Sequence, residues 1–327
     1  MWSSNSMKFR FPSRRFTLLA GLLATTSSVL WTSLSIAETQ QVSSGWAIAA
    51  TVNEDRIFEP PLTAEIESIA GKIDPKSPQF IQLRKQVLNS AIQRRLALAY
   101  LKKIGQAASD DDIDLGIIHL EKRLRLKDQT LDDYLHEQSI NRQELRHRIA
   151  WQISWPKYTN QFLTDKNYEN YYQQNASRFD GTELKVSQIL IHTKQQTDRT
   201  LEESRQFANQ IKKQLQDAAI EFPEAARKYS DSPTGKNGGL VGWIKFNGAM
   251  PRAFNDAAFK LKAGEVSAIV ETTFGFHIIR LDEVKPGEIT WQMARPQLRD
   301  AMIETLLTFL TQSGRKISTI EITEESK

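Results

Sequence analysis

Residues 238–243 read Gly-Gly-Leu-Val-Gly-Trp, and residues 274–279 read Phe-Gly-Phe-His-Ile-Ile. In each, glycines that permit a tight corner adjoin a short apolar run, the pattern of a strand meeting a turn. Val186 to Ile191 (Val-Ser-Gln-Ile-Leu-Ile) is a third β-rich run. Between it and the first, Thr200 to Ala219 sets Leu201, Phe207, Ile211 and Leu215 at helical spacing on one apolar face. From Lys185 onward, short strands alternate with amphipathic helix.

Outward from this core the texture is helical. Residues 54 to 175 are expected as helix. Ser77-Pro78 supplies an N-cap followed by proline at the first helical position, and Gly105 closes that segment. Phe80, Leu83, Val87, Ile92 and Leu96 form its apolar stripe. Ser109 with Asp112 three residues on starts a second helix, and Thr130 and Asn141 start two more. Pro156 is expected to kink or interrupt the last of these. After Pro286-Gly287, residues 291 to 312 return to helix with Leu298, Met302, Leu306 and Phe309 on one face, and Ile317 to Ile322 reads as a final strand.

The charge is unevenly placed. The chain of 327 residues carries 43 Lys plus Arg against 39 Asp plus Glu, a net charge of +4. Lys8, Arg10, Arg14 and Arg15 all precede Glu38, and residues 1–37 hold no acid. Without those four bases the remainder has 39 of each sign and is neutral, so a nucleic-acid partner is not expected. The same head reads as an export signal: a basic start, an apolar stretch from Phe16 to Ile36, then Ser35 and Ala37 as small residues before a cleavage point. Eight Ser and Thr residues in that stretch make it a poor anchor, although a retained membrane anchor over residues 16–36 is the other reading. The expected location is exported, periplasmic or otherwise extracytoplasmic in a bacterium, with membrane contact only through this segment if it is uncleaved. Cysteine is absent, which excludes disulfides, thiolate metal sites and a cysteine nucleophile.

Several motifs fail. Asp110, Asp112, Asp114 and Glu121 imitate a calcium loop, but Leu115 stands where glycine is required, so the run reads as a capped acidic helix start. The five histidines (His119, His136, His147, His192, His277) do not pair at metal spacing on one helix face. Lys122, Arg123, Arg125 and Lys127 read as a solvated helix face. No metal or cofactor is expected.

The stretch from Glu183 to Val284 resembles a parvulin-type peptidyl-prolyl isomerase domain along its whole length. The resemblance rests on the three runs above, on Phe222-Pro223-Glu224-Ala225-Ala226 leading to Tyr229-Ser230-Asp231-Ser232, and on Phe254 to Phe259 and Leu261 to Val266. Together with the head and the flanking helices it is similar to the SurA and PrsA group of exported foldases. The implied fold is α+β: a small mixed, mainly antiparallel four-stranded sheet surrounded by helices, inserted between a helical chaperone-like segment and a C-terminal helix that packs back on it. The implied boundaries are a signal at 1–37, a helical SurA-like domain at 38–180, the parvulin domain at 181–287, and a helix and short strand at 288–327.

The resemblance also implies a site. Val241, Met250 and Phe254 match the proline pocket. His277 matches the family's second histidine, Thr272 a hydroxyl of the polar network, and Ser232 a position where relatives carry Cys or Asp. Gln188 stands where the first histidine of the pair is expected. Gln188 and Ser232 cannot titrate in the working range, but prolyl isomerisation needs no net proton transfer. The expected activity is therefore isomerisation of X-Pro bonds, without a covalent intermediate, in unfolded or partly folded exported polypeptides. The alternative is a non-catalytic chaperone whose parvulin domain only binds peptide segments.

Overall fold

The computed structural model describes residues 45–193 and 199–323; the head read as a signal lies outside them. The chain begins with a hairpin, β1 (Ile48–Val52) and β2 (Asp55–Phe58), and continues through α1 (Glu59–Ala70), α2 (Pro78–Lys103), α3 (Asp110–Arg125), α4 (Leu131–Glu137), α5 (Arg142–Thr159) and α6 (Asp165–Asn175). The second part comprises β3 (Glu183–Ile191), α7 (Leu201–Gln216), α8 (Phe222–Tyr229), β4 (Leu240–Lys245), α9 (Arg252–Ala258), β5 (Val270–Thr272) and β6 (Gly275–Lys285). The described chain closes with α10 (Arg295–Arg315) and β7 (Ile320–Ile322).

The helix starts follow from local chemistry. Ser77 accepts a hydrogen bond from the Phe80 amide, and Ser109 and Thr130 form reciprocal capping boxes with Asp112 and Asp133. Two expectations are corrected. Asp55–Phe58 is strand where helix is expected, because Asn53 takes a left-handed conformation (φ 56°) and turns the chain so that Val52 pairs with Asp55. The hairpin is then fastened from far away: β7 pairs antiparallel with β1, giving a sheet of order β2-β1-β7. Nor does Pro156 end α5, which runs on to Thr159. The turn beyond the proline carries Tyr158, which is buried in one cluster with Ala97, Leu101, Leu306 and Leu310. That burial offsets the helical bond the proline removes.

The cluster around Tyr158 is also where α10 meets α2. The two helices come so close that a Cβ at Gly314 would lie 2.0 Å from the carbonyl oxygen of Leu96. The helices before and after the second sheet therefore share one core. No helix among the described residues is long and apolar enough to cross a membrane.

The second sheet has the order β4-β3-β6-β5, and all three of its ladders are antiparallel rather than mixed. Side-chain alternation splits it into two cores. Ile189, Ile191, Phe276 and Ile278 face α7 and α8, packing with Ala208, Ile211, Phe222 and Ala225. Leu184, Val186, Ile279 and Leu281 face the other way, against Phe254 and Ala258 of α9. The segments leading into and out of this sheet lie side by side, since the Ile289 amide donates to the Asp180 carbonyl at 2.8 Å and the Gly287 amide to Thr182 Oγ1 at 3.2 Å.

Candidate active site

Alternation also determines which polar groups meet. Leu190 pairs with His277 and Gln188 with Ile279, so Gln188 and His277 are diagonal neighbours on the α9 face of the sheet. Their side chains bond directly: His277 Nδ1 lies 2.9 Å from Gln188 Oε1. On the other side of the ring, His277 Nε2 lies 2.8 Å from Thr272 Oγ1, whose oxygen also accepts the Phe274 amide at 3.1 Å. An amide oxygen only accepts, so with Oε1 facing the ring the proton sits on Nδ1. Nε2 then accepts the Thr272 hydroxyl. The polar chain thus runs Phe274 N–H to Thr272, Thr272 O–H to His277, and His277 N–H to Gln188.

This wiring suits a neutral imidazole, and the surroundings keep it neutral. His277 is 2% exposed. Burial, reinforced by the nearby His192, pushes its pKa down to about 4. Both ring nitrogens are engaged within the protein, so the imidazole orients its neighbours rather than offering a free donor. Gln188 Nε2 makes no hydrogen bond within the described protein and is the donor left over.

Two glycines let loops lie against β3 at either end of this chain of bonds. Gly239 (φ 87°) sits where a Cβ would fall 2.4 Å from the Gln188 carbonyl oxygen, and its own oxygen accepts the Gln188 amide at 2.8 Å. Gly275 (φ 129°) sits where a Cβ would fall 2.2 Å from the Ile191 carbonyl oxygen, and it brings Thr272 round to His277.

The apolar part adjoins the polar part. The Phe254 ring meets His277 edge-on, with centroids 5.5 Å apart at 84°, and is wholly buried. Val241 and Met250, both half-buried, pack into the same cluster. Six of the seven expected residues are therefore brought together: Gln188, His277, Thr272, Val241, Met250 and Phe254. No hydrogen bond joins Ser232 to this polar chain among the described residues. The Ser232 hydroxyl caps the turn Pro233–Asn237, accepting the Thr234 amide at 3.3 Å and lying 2.9 Å from Thr234 Oγ1. A serine just before a proline-led turn readily forms such a local cap.

Two residues emerge only from the structure. Asn255, 2% exposed, donates through Nδ2 to the Phe246 carbonyl at 2.8 Å and the Met250 carbonyl at 3.1 Å. It thereby holds the strap that presents Met250, while its own Oδ1 is buried with no partner among the described residues. His192 follows the last residue of β3 and lies near enough to His277 to oppose its protonation. Neither stands out from spacing, because one adjoins a pocket aromatic and the other follows a strand.

Residues 189–283 match the PPIC-type PPIase domain family, and residues 9–159 match the SurA-like N-terminal domain family. The chain carries a SurA-like N-terminal domain and a PPIC-type PPIase domain. Gln188 falls one residue before the span matched to the PPIase domain. The chaperone SurA of Methylobacillus flagellatus is 25% identical over 268 residues, covering 79% of this chain and 61% of that protein. The parvulin-like PPIase of Rickettsia prowazekii is 33% identical over 148 residues, covering 44% of this chain and 48% of that one. The crystal structure of the peptidylprolyl isomerase PrsA from Bacillus anthracis aligns at 24% identity with a TM-score of 0.35, over 70% of this chain and 96% of that chain. The chain spans about three fifths of the length of its SurA relatives.

Proposed function

We propose that the PPIase domain isomerises X-Pro bonds in unfolded or partly folded exported polypeptides. The observation that carries this reading is one neutral polar chain, Gln188–His277–Thr272, set edge-on to the buried Phe254 beside Val241 and Met250. Rotation about the prolyl amide faces a barrier of about 18–20 kcal/mol, because twisting breaks the resonance across the C–N bond. Nothing covalent need form. The site has to bind the twisted amide better than the planar one.

In this reading Val241, Met250 and Phe254 grip the proline ring and exclude water from the amide. The planar amide is the more charge-separated form and loses more on desolvation. Twisting returns the lone pair to nitrogen, and Gln188 Nε2–H donates to it. His277 and Thr272 are positioning residues that hold the Gln188 amide by its oxygen, and Asn255 holds the Met250 strap. The neutral ring makes the site independent of proton supply. The SurA-like helical domain would hold the client near the site, and residues 1–37 would direct the chain out of the cytoplasm.

The test is a protease-coupled isomerisation assay on proline tetrapeptides with the full chain. Acceleration over buffer that falls at least tenfold in Gln188→Leu is the expected result. Absence of acceleration from a chain shown to be folded refutes the catalytic reading. It would leave the second reading, a chaperone whose PPIase domain only binds peptide. That reading is favoured by the unionisable Gln188 and by Ser232 capping its own turn.

A further inference from the structure

The basic run at the end of α3 does more than meet solvent. Gly116, His119, Leu120 and Arg123 fall at helical spacing on one side of α3, and Lys122 borders them. Leu145, Arg148, Ile149, Gln152 and Ile153 recur at matching spacing along α5. The two stripes touch where Gly116 meets Ile149, with Leu145 and Ile149 largely buried. Beside this contact they border a cleft of about 610 Å³, with Tyr134 of α4 at its margin. This is within the roughly 300–1,000 Å³ usual for binding clefts.

Its lining divides cleanly. The apolar part is aliphatic, from Leu120, Leu145, Ile149 and Ile153, and the ionisable groups are His119, Lys122, Arg123 and Arg148, with no carboxylate. Two other clefts mix signs: one bordered by α2, α3 and α5 has Glu54, Asp55 and Asp110 beside Arg95 and Arg146, and one in the PPIase domain has Glu221 and Asp282 beside Arg280. Five acids of α3 and α4 are engaged away from the cleft. Asp110 and Asp114 pair with Arg146, Asp132 pairs with Arg142, and Asp112 and Asp133 cap their own helices. Arg148 is held by Glu144 at 3.3 Å, whereas Lys122 and Arg123 have no ion pair among the described residues.

We propose that this cleft docks an acidic, apolar polypeptide segment, one in which carboxylates alternate with large aliphatic or aromatic side chains. The aliphatic floor calls for side chains that shed water, and the unpaired bases at the rim call for carboxylates within the same few residues. A nucleic acid brings the charge without an aliphatic group for the floor. A flat lipid surface cannot enter a concave cleft. The site is separate from the PPIase pocket and does not depend on its activity.

The test is fluorescence anisotropy of labelled ten-residue peptides with the full chain. One peptide alternates Glu with Leu and Phe; a second carries Gln for Glu, a third Lys for Glu, and a fourth Ser for Leu and Phe. The acidic apolar peptide should bind at least tenfold tighter than each of the others. Charge reversal in Lys122→Glu with Arg123→Glu should abolish that preference and favour the Lys peptide. A control reversal away from the cleft, Lys103→Glu with Lys262→Glu, should leave the preference intact, and circular dichroism checks that both variants are folded. Equal binding of the acidic and Gln peptides overturns the proposal, as does equal loss in the control. Anionic phospholipid vesicles that bind the cleft in preference to the acidic peptide also overturn it, in favour of a lipid surface.

Discussion

Acidification should leave His277 uncharged well past the point where an ordinary histidine takes up its proton. Burial first, and His192 second, lower its pKa from 6.5 to about 4. The folded value is therefore depressed below the unfolded one. The associated stability is fully present above the unfolded pKa and is lost as pH falls toward the folded pKa, because the unfolded chain binds a proton that the folded chain refuses. With a slope of about 1.36 kcal/mol per pH unit once the unfolded histidine is charged, lowering the pH from 7 to 5 removes about 2 kcal/mol. Urea unfolding of the full chain and of His277→Gln at both pH values isolates this contribution, since the variant has nothing to titrate at that position. The parent should lose about 2 kcal/mol more than the variant over the interval, and the ring proton signals of His277 should stay those of neutral imidazole to about pH 5. The His277-dependent part of any isomerase rate should be flat from about pH 8 to 5. A ring titration centred near the ordinary histidine value, or equal pH dependence in the two proteins, refutes the burial argument.

Asn255→Ala leaves the Phe246 and Met250 carbonyls without their donor while also removing an orphaned acceptor. The expected net loss is about 2 kcal/mol in denaturant unfolding, with weaker proline-peptide binding and KM rising more than kcat falls. His192→Gln takes away a charge that opposes protonation of His277, so the His277 midpoint followed by NMR should move upward. Gly314→Ala places a methyl against the Leu96 backbone and should cost about 1–3 kcal/mol in the same unfolding assay, with little effect on tetrapeptide isomerisation.

Features governed by neighbours in sequence were legible in the sequence. Ser77, Ser109, Thr130 and Asn141 cap the helices they were expected to cap, because a cap needs only the next three residues. The hairpin of β1 and β2 was not legible. Its strand character is completed by β7, and the bond from Asn53 to Ser318 spans 265 residues. In the site, motif and alternation were enough to set Gln188 and His277 together, 89 residues apart in sequence. Ser232 also caps its own turn, a local bond that its place just before Pro233 favours. Asn255 was invisible for a different reason: its role depends on carbonyls of a strap whose path no spacing rule describes. Lys122 and Arg123 read as a solvated face until α5 supplied the opposite wall.

The sheet β2-β1-β7 sets an order of events on the growing chain. Everything that builds the PPIase sheet lies between Glu183 and Lys285, so that part can close as soon as it has left the ribosome. The helical body cannot. Its first hairpin waits for Ile320–Ile322, and the groove along α2 waits for α10. For as long as those residues are unmade, Ala97 and Leu101 lack the cover that Leu306 and Leu310 give them. A protein read as a guardian of unfinished chains must itself pass through synthesis with its oldest segment open and its inserted domain already complete.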